Sequence, residues 1–120
     1  MIYIALSESL FNKLAKILEN HKIKYKFIGD GETLLELAKK DPPELIILEK
    51  DLPLLDGFAV TLLLKSDDKT KNIPILAVCK YEYKEEEIKA KDCGVDDIII
   101  CPLEEEKIVE KLEKWLKGVK

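Results

Sequence analysis

The chain has 120 residues, 47% of them hydrophobic and 37% charged, with a formal net charge of -4. That length suits one domain, and that apolar fraction can build a core, which excludes wholesale disorder. The acidic balance argues against a nucleic-acid binder working through bulk charge, and three cysteines do not make a disulfide framework.

All 20 basic residues are lysines and glutamine is absent, a composition that both thermophile charge networks and plain codon bias produce. No apolar run approaches the roughly 18 residues of a membrane span. The opening stretch from Met1 to Leu10 has neither a basic region nor a cleavage site, so it does not read as a signal peptide. The expectation is a cytoplasmic single domain over residues 1–120, with neither nucleic acid nor membrane as partner.

Ile2 to Leu6 is a short β-prone run. Ser9 then reads as the cap of a helix carrying Leu10, Leu14, Ile17 and Leu18 on one face. Lys24 to Ile28 is a second strand and Asp30-Gly31 a turn. Leu34, Leu35 and Ala38 lie on a second helix, which Pro42-Pro43 ends. Leu45 to Leu48 is a continuous apolar strand, followed by a loop with Pro53 and Asp56-Gly57 and a helix from Phe58 to Lys65. Ile75 to Val78 is a fourth strand, Lys84 to Cys93 a polar helix capped by Gly94, and Ile98 to Ile100 a fifth strand. Pro102 stops it, and Glu104 to Lys117 is a last amphipathic helix.

Strict alternation of five strands and five helices predicts an α/β fold, a parallel sheet with helices on both faces. Leu45-Ile46-Ile47-Leu48 and Ile98-Ile99-Ile100 suit strands buried on both sides. In such a sheet the working crevice lies at the carboxyl ends of the strands, here Leu6-Ser7-Glu8, Glu49-Lys50-Asp51, Cys79-Lys80 and Cys101-Pro102.

Leu45 through Phe58, Lys71-Asn72-Ile73-Pro74-Ile75-Leu76, Cys93-Gly94-Val95-Asp96-Asp97, Cys101-Pro102-Leu103 and Asp30-Gly31-Glu32 together resemble a response-regulator receiver domain over essentially the whole chain. The resemblance implies a flavodoxin-like (βα)5 fold with strand order 2-1-3-4-5 and a place in two-component phosphorelay signalling. It also implies a chemical kit. An acidic pair after the first strand holds Mg²⁺, a hard cation that takes carboxylate oxygens. An Asp after the third strand accepts the phosphoryl group, and a hydroxyl residue and a Lys after the fourth and fifth hold its oxygens.

This chain departs at each of those positions. The acceptor position, four residues before Pro53, is Glu49. Aligning Ser9 with the family's helix-opening residue puts the acidic pair at Leu6 and Ser7, with Glu8 nearby. The hydroxyl position is Cys79, the lysine position Cys101 and the aromatic switch position Ile98. Glu49 reads as a solvated loop carboxylate, as a permanent mimic of the phosphorylated state, or as a poor acceptor. Asp51 is a second carboxylate, wrongly spaced from Pro53 for the acceptor role. The resemblance further implies a cis bond between Cys101 and Pro102.

Cys79 and Cys101 end neighbouring strands, so a disulfide or a shared soft metal is an alternative to plain packing as small hydrophobes. Cys93 reads as packed, and none of the cysteines has zinc-like spacing. On the third helix, Phe58, Val60, Thr61 and Leu64 make the core face. Ala59, Leu62, Leu63 and Ser66 form a stripe opposite, where a dimer or a docked partner is expected. Tyr81 and Tyr83 follow the fourth strand and are placed to cover the crevice or present an aromatic contact. His21, the single histidine, has no candidate ligand or nucleophile beside it in sequence.

These residues predict a degenerate receiver, a pseudo-receiver. Its expected role is a protein-interaction module that needs no phosphorylation, with no catalytic residues, no cofactor and no Mg²⁺ site. A kinase or an output protein is the expected partner. With no output domain after Lys120, it reads as a stand-alone adaptor or as a domain of a longer regulator. The alternatives are a working receiver that uses Glu49 or Asp51, and a thiol or metal module on Cys79 and Cys101. No Gly-rich phosphate loop, Ser-His-Asp set or nucleotide fingerprint points to an enzyme.

Overall fold

Residues 1–80 and 84–116 are described by a computed structural model. Among them β1 (Ile2–Ala5), α1 (Glu8–Asn20), β2 (Tyr25–Phe27), α2 (Gly31–Lys40), β3 (Leu45–Leu48), α3 (Gly57–Lys65), β4 (Ile75–Lys80), α4 (Lys84–Cys93), β5 (Asp97–Cys101) and α5 (Glu105–Trp115) follow one another. The strands form one sheet in the order β2-β1-β3-β4-β5, with every pairing parallel. This is the flavodoxin-like architecture.

Alternation along each strand divides the apolar residues between two cores. Tyr3, Ala5, Ile46, Leu48, Ile75, Ala77, Cys79 and Ile98 pack with Leu34 and Ala38 of α2, Val60 and Leu64 of α3 and Ala90 of α4. Ile2, Ile4, Leu45, Ile47, Leu76, Val78 and Ile99 pack with Leu14 and Leu18 of α1 and Ile108 and Leu112 of α5. Helices thus cover both faces, and the unbroken apolar run of β3 is buried on both sides.

Several expected boundaries move for physical reasons. Ser7, not Ser9, is the N-cap of α1, because the chain is already extended at Ser7 and helical from Glu8. Asp30-Gly31 is a helix start rather than a turn. Asp30 Oδ1 accepts the N–H of Thr33 at 2.7 Å, and Gly31 is the first helical residue. β4 and β5 run longer than the apolar residues alone suggest, since the ladder continues to the pair Lys80 and Cys101. Trp115 ends α5, while Lys117 lies outside the described residues, as do Tyr81 and Tyr83.

Two adjacent carboxylates pin the amino end of β5. Asp96 Oδ2 accepts the Ile75 N–H at 2.8 Å and Lys65 Nζ at 2.7 Å. Asp97 accepts Lys111 Nζ at 2.7 Å, Trp115 Nε1 at 2.9 Å and the Ile98 N–H at 2.9 Å. His21 Nε2 lies 3.4 Å from Glu105 Oε2, the partner that sequence neighbours did not offer.

Candidate functional site

The loop between β3 and α3 is held by backbone contacts that leave no room for side chains at two glycines. The Glu49 N–H donates to Ala5 O at 3.1 Å, Gly57 N–H to Lys50 O at 2.8 Å and Gly31 N–H to Pro53 O at 3.0 Å. A Cβ on Gly57 would sit 2.0 Å from Glu49 O, and one on Gly31 1.8 Å from Leu55 O. Asp56 caps α3 by accepting the N–H groups of Phe58 and Ala59. The stub of β3 is therefore fixed against the end of β1, and Glu49 with it.

Glu49 is half-buried, and its carboxylate accepts the backbone N–H of Ser7 across the crevice. Burial pushes its pKa above the ordinary value. The hydrogen bonds from Ser7 pull the other way, as does the charge of Lys80, while Asp51 adds to the rise. The side chain is thus engaged by a backbone donor at the start of α1.

The positions of the implied acidic pair carry no carboxylate. Leu6 is buried in the core beneath α1 and α5, and Ser7 spends its N–H on Glu49; Glu8 is exposed. Ile98, at the switch position, is buried in the opposite core. The bond between Cys101 and Pro102 is cis.

The two cysteines do not come together as a disulfide or a shared metal ligand pair would need. Cys79 stands opposite Ile100 in the ladder, whereas Cys101 stands opposite Lys80. Cys79 belongs to the core under α2, α3 and α4, and Cys101 packs against the core under α1 and α5. Their side chains pack on opposite faces of the sheet, a geometry that works against bridging even though Cys101 is near enough to act on the Cys79 thiol. Both thiols are free, as is Cys93. Burial pushes the Cys79 thiol up to about 12, with Glu86 and Glu87 adding, so it stays protonated at neutral pH. Cys101 is also raised, by burial and then by Glu49, against the opposing charges of Lys13 and Lys80.

Lys80 was placed by the sequence at the crevice only as part of the strand end Cys79-Lys80, without a role. The signal for one was its alternation with Val78, which places it on the face of Cys101 and beside the crevice. On α3, Phe58, Val60, Thr61 and Leu64 are buried as read. Leu62 and Leu63 are 52% and 46% exposed, Ser66 is exposed and Ala59 half-buried, so the stripe faces outward.

Among the described residues, no three His, Cys, Asp or Glu side chains are grouped so as to hold a metal ion. No described helix is long and apolar enough to cross a membrane.

Residues 7–113 match the family model described as the response regulator receiver domain. The chain is 31% identical over 87 residues to the polar-differentiation response regulator DivK of Brucella anthropi, covering 72% of this chain and 71% of DivK. It resembles the receiver domain of the sensor histidine kinase PA1611 of Pseudomonas aeruginosa, a structure with a magnesium ion coordinated in its active-site cleft. There the TM-score is 0.84 at 17% identity, over 95% of this chain and 94% of that one. It also resembles the receiver domain of the Saccharomyces cerevisiae response regulator Ssk1, crystallised with the histidine phosphotransfer protein Ypd1. That likeness has a TM-score of 0.82 at 20% identity, over 96% of this chain and 88% of that one.

Proposed function

This chain belongs to the response regulator receiver domain family, and we propose that within two-component signalling it is a protein-interaction module that works without being phosphorylated. The observation that carries this reading is the engagement of Glu49 by a backbone donor. The carboxylate at the acceptor position is already hydrogen-bonded to the Ser7 N–H, where an acceptor would have to face a donor phosphoryl group. The flanking positions support it: Leu6 offers no metal ligand, and Cys79 and Cys101 offer neither the hydroxyl nor the ammonium that would hold a phosphoryl oxygen. A negative charge fixed at position 49 also fits a permanent mimic of the modified state.

The test is incubation with acetyl phosphate and Mg²⁺, rapid acid quench, and intact mass with peptide mapping. The expected result is no adduct. A phosphoryl group on Glu49 or Asp51 would overturn the reading and make this a working receiver with a rebuilt site.

In this reading the module sits in the cytoplasm, has no enzymatic turnover and presents the outer face of α3. Ala59, Leu62, Leu63 and Ser66 carry no charge, so two copies of the stripe meet without repulsion, as an isologous contact requires. A second copy of the chain is the occupant this favours. A kinase or output protein bound to a monomer is the other outcome that sedimentation with and without partner would reveal.

A further inference from the structure

The crevice has Leu6 and Ser7 at the end of β1 but does not lack charge. Glu49 and Asp51 stand at the carboxyl end of β3. The ladder sets Lys80, the last residue of β4, directly opposite Cys101, the last of β5. Alternation puts Lys80 on the face of Val78, the same face on which Cys101 packs. The ladder continues past β3 through the Glu49 N–H, so alternation sets Glu49 on the face of Ile47, which is the face of Val78 and Lys80.

We propose that Lys80 is the built-in cation of this crevice, balancing Glu49 from within the chain at an edge where a carboxylate-lined crevice of this fold would take a divalent metal. The inference rests on the phosphorylation-independent reading and deepens it. A hard divalent cation needs several oxygen ligands it can share. Here Leu6 supplies none and the Glu49 oxygen is engaged by a backbone donor. A compact ammonium on a flexible stem needs no such cage. The pull of Lys80 on the proton affinity of both Glu49 and Cys101 agrees with an ammonium close to both. Lys13, on α1, also influences Cys101 and supplies a control of equal charge.

The experiment follows the Glu49 side-chain carboxyl by carbon-detected NMR through a pH titration, in the wild type, Lys80→Met, Lys80→Arg and Lys13→Met. The expected result is an upward displacement of the Glu49 titration in Lys80→Met, restored in Lys80→Arg and absent in Lys13→Met. A Glu49 titration unchanged in Lys80→Met would overturn the proposal. So would an equal displacement in Lys13→Met, which reduces the effect to net charge. A second arm adds MgCl₂ to the wild type, with no saturable shift expected at Ser7, Glu49 or Asp51; a saturable shift centred there would also overturn it. Neither arm depends on phosphoryl uptake, so the proposal fails separately from the proposed function.

Discussion

Trp115 donates its indole Nε1–H to Asp97 Oδ2 at 2.9 Å, tying the last turn of α5 to the first residue of β5. Lys111 Nζ reaches Oδ1 of the same carboxylate at 2.7 Å. Burial alone would raise the pKa of Asp97, but the donors from Lys111, Trp115 and the Ile98 N–H outweigh it and hold the group at about 2. The folded value lies below the unfolded one, so the stabilisation is complete above the unfolded pKa and is lost as pH falls through the folded one. The gap from the ordinary 3.8 corresponds to on the order of 2 kcal/mol. Asp97→Asn is expected to lower unfolding stability by about that amount at pH 7, a deficit that shrinks from pH 4 towards pH 2. Urea unfolding followed through Trp115, the single tryptophan, measures it.

Glu49 carries the opposite sign. Its folded pKa is raised, chiefly by burial, so folding favours the protonated form. Stability then falls as pH rises from the unfolded pKa through the folded one. Glu49→Gln keeps an oxygen to accept the Ser7 N–H and removes the half-buried charge. At pH 7 it is expected to melt no lower than the wild type, with a gain of up to about 1 kcal/mol, the size of an ordinary single-site change. The gain should disappear below the unfolded pKa. Melting curves from pH 3 to 8 test this, and a variant that is markedly less stable at pH 7 would show the Ser7 contact to outweigh burial.

Gly57 marks where the site depends on backbone alone. A methyl group there meets the Glu49 carbonyl oxygen, and the strand end carrying Glu49 cannot yield without breaking its own bond to Ala5 O. Gly57→Ala is expected to cost about 2–4 kcal/mol, since overpacking against fixed backbone has no cheap relaxation. It should also shift the Ser7 and Glu49 amide resonances, which a remote destabilisation would leave in place. Chemical denaturation and amide NMR of the same sample separate the two effects.

The parts legible in the sequence were those written in local pattern. Continuous apolar runs gave the buried strands, and helical spacing gave the core face of α3 from Phe58 to Leu64. Contacts between distant segments were not legible. Ser7 and Glu49 are 42 residues apart, and nothing in either neighbourhood announces that a carboxylate will take the amide at the start of α1. Cys79 and Cys101 illustrate a subtler loss. Both lie near the carboxyl ends of neighbouring strands, which suggests proximity, yet the face each occupies depends on a register that only the folded ladder sets. Leu54 is another case. It adopts φ +68 within a tight loop, where composition favours glycine or asparagine, so loop closure overrides local preference there.

The exposed leucines of α3 separate stability from association. Leu62 and Leu63 are about half exposed, so Leu62→Ser with Leu63→Ser should change unfolding stability by no more than about 2 kcal/mol. Any self-association through the stripe should be lost in the same variant. Sedimentation velocity across a concentration series reads this directly, and an unchanged dimer in the double variant would move the contact elsewhere on the surface.

Thiol reactivity in this chain follows burial. Cys79 is fully buried, and burial together with Glu86 and Glu87 holds its thiol at about 12. Cys93 and Cys101 are only partly buried, and their raised values leave them slow rather than closed to solvent. Since the thiolate is the reacting species, a disulfide-exchange reagent at pH 8 should label Cys93 and Cys101 slowly and Cys79 only after denaturant is added. Mild oxidation should produce no intramolecular bridge between Cys79 and Cys101, because the two side chains lie on opposite faces of the sheet. Peptide mapping of the native and denatured protein decides it, and a Cys79–Cys101 bridge formed under native conditions would contradict the strand register itself.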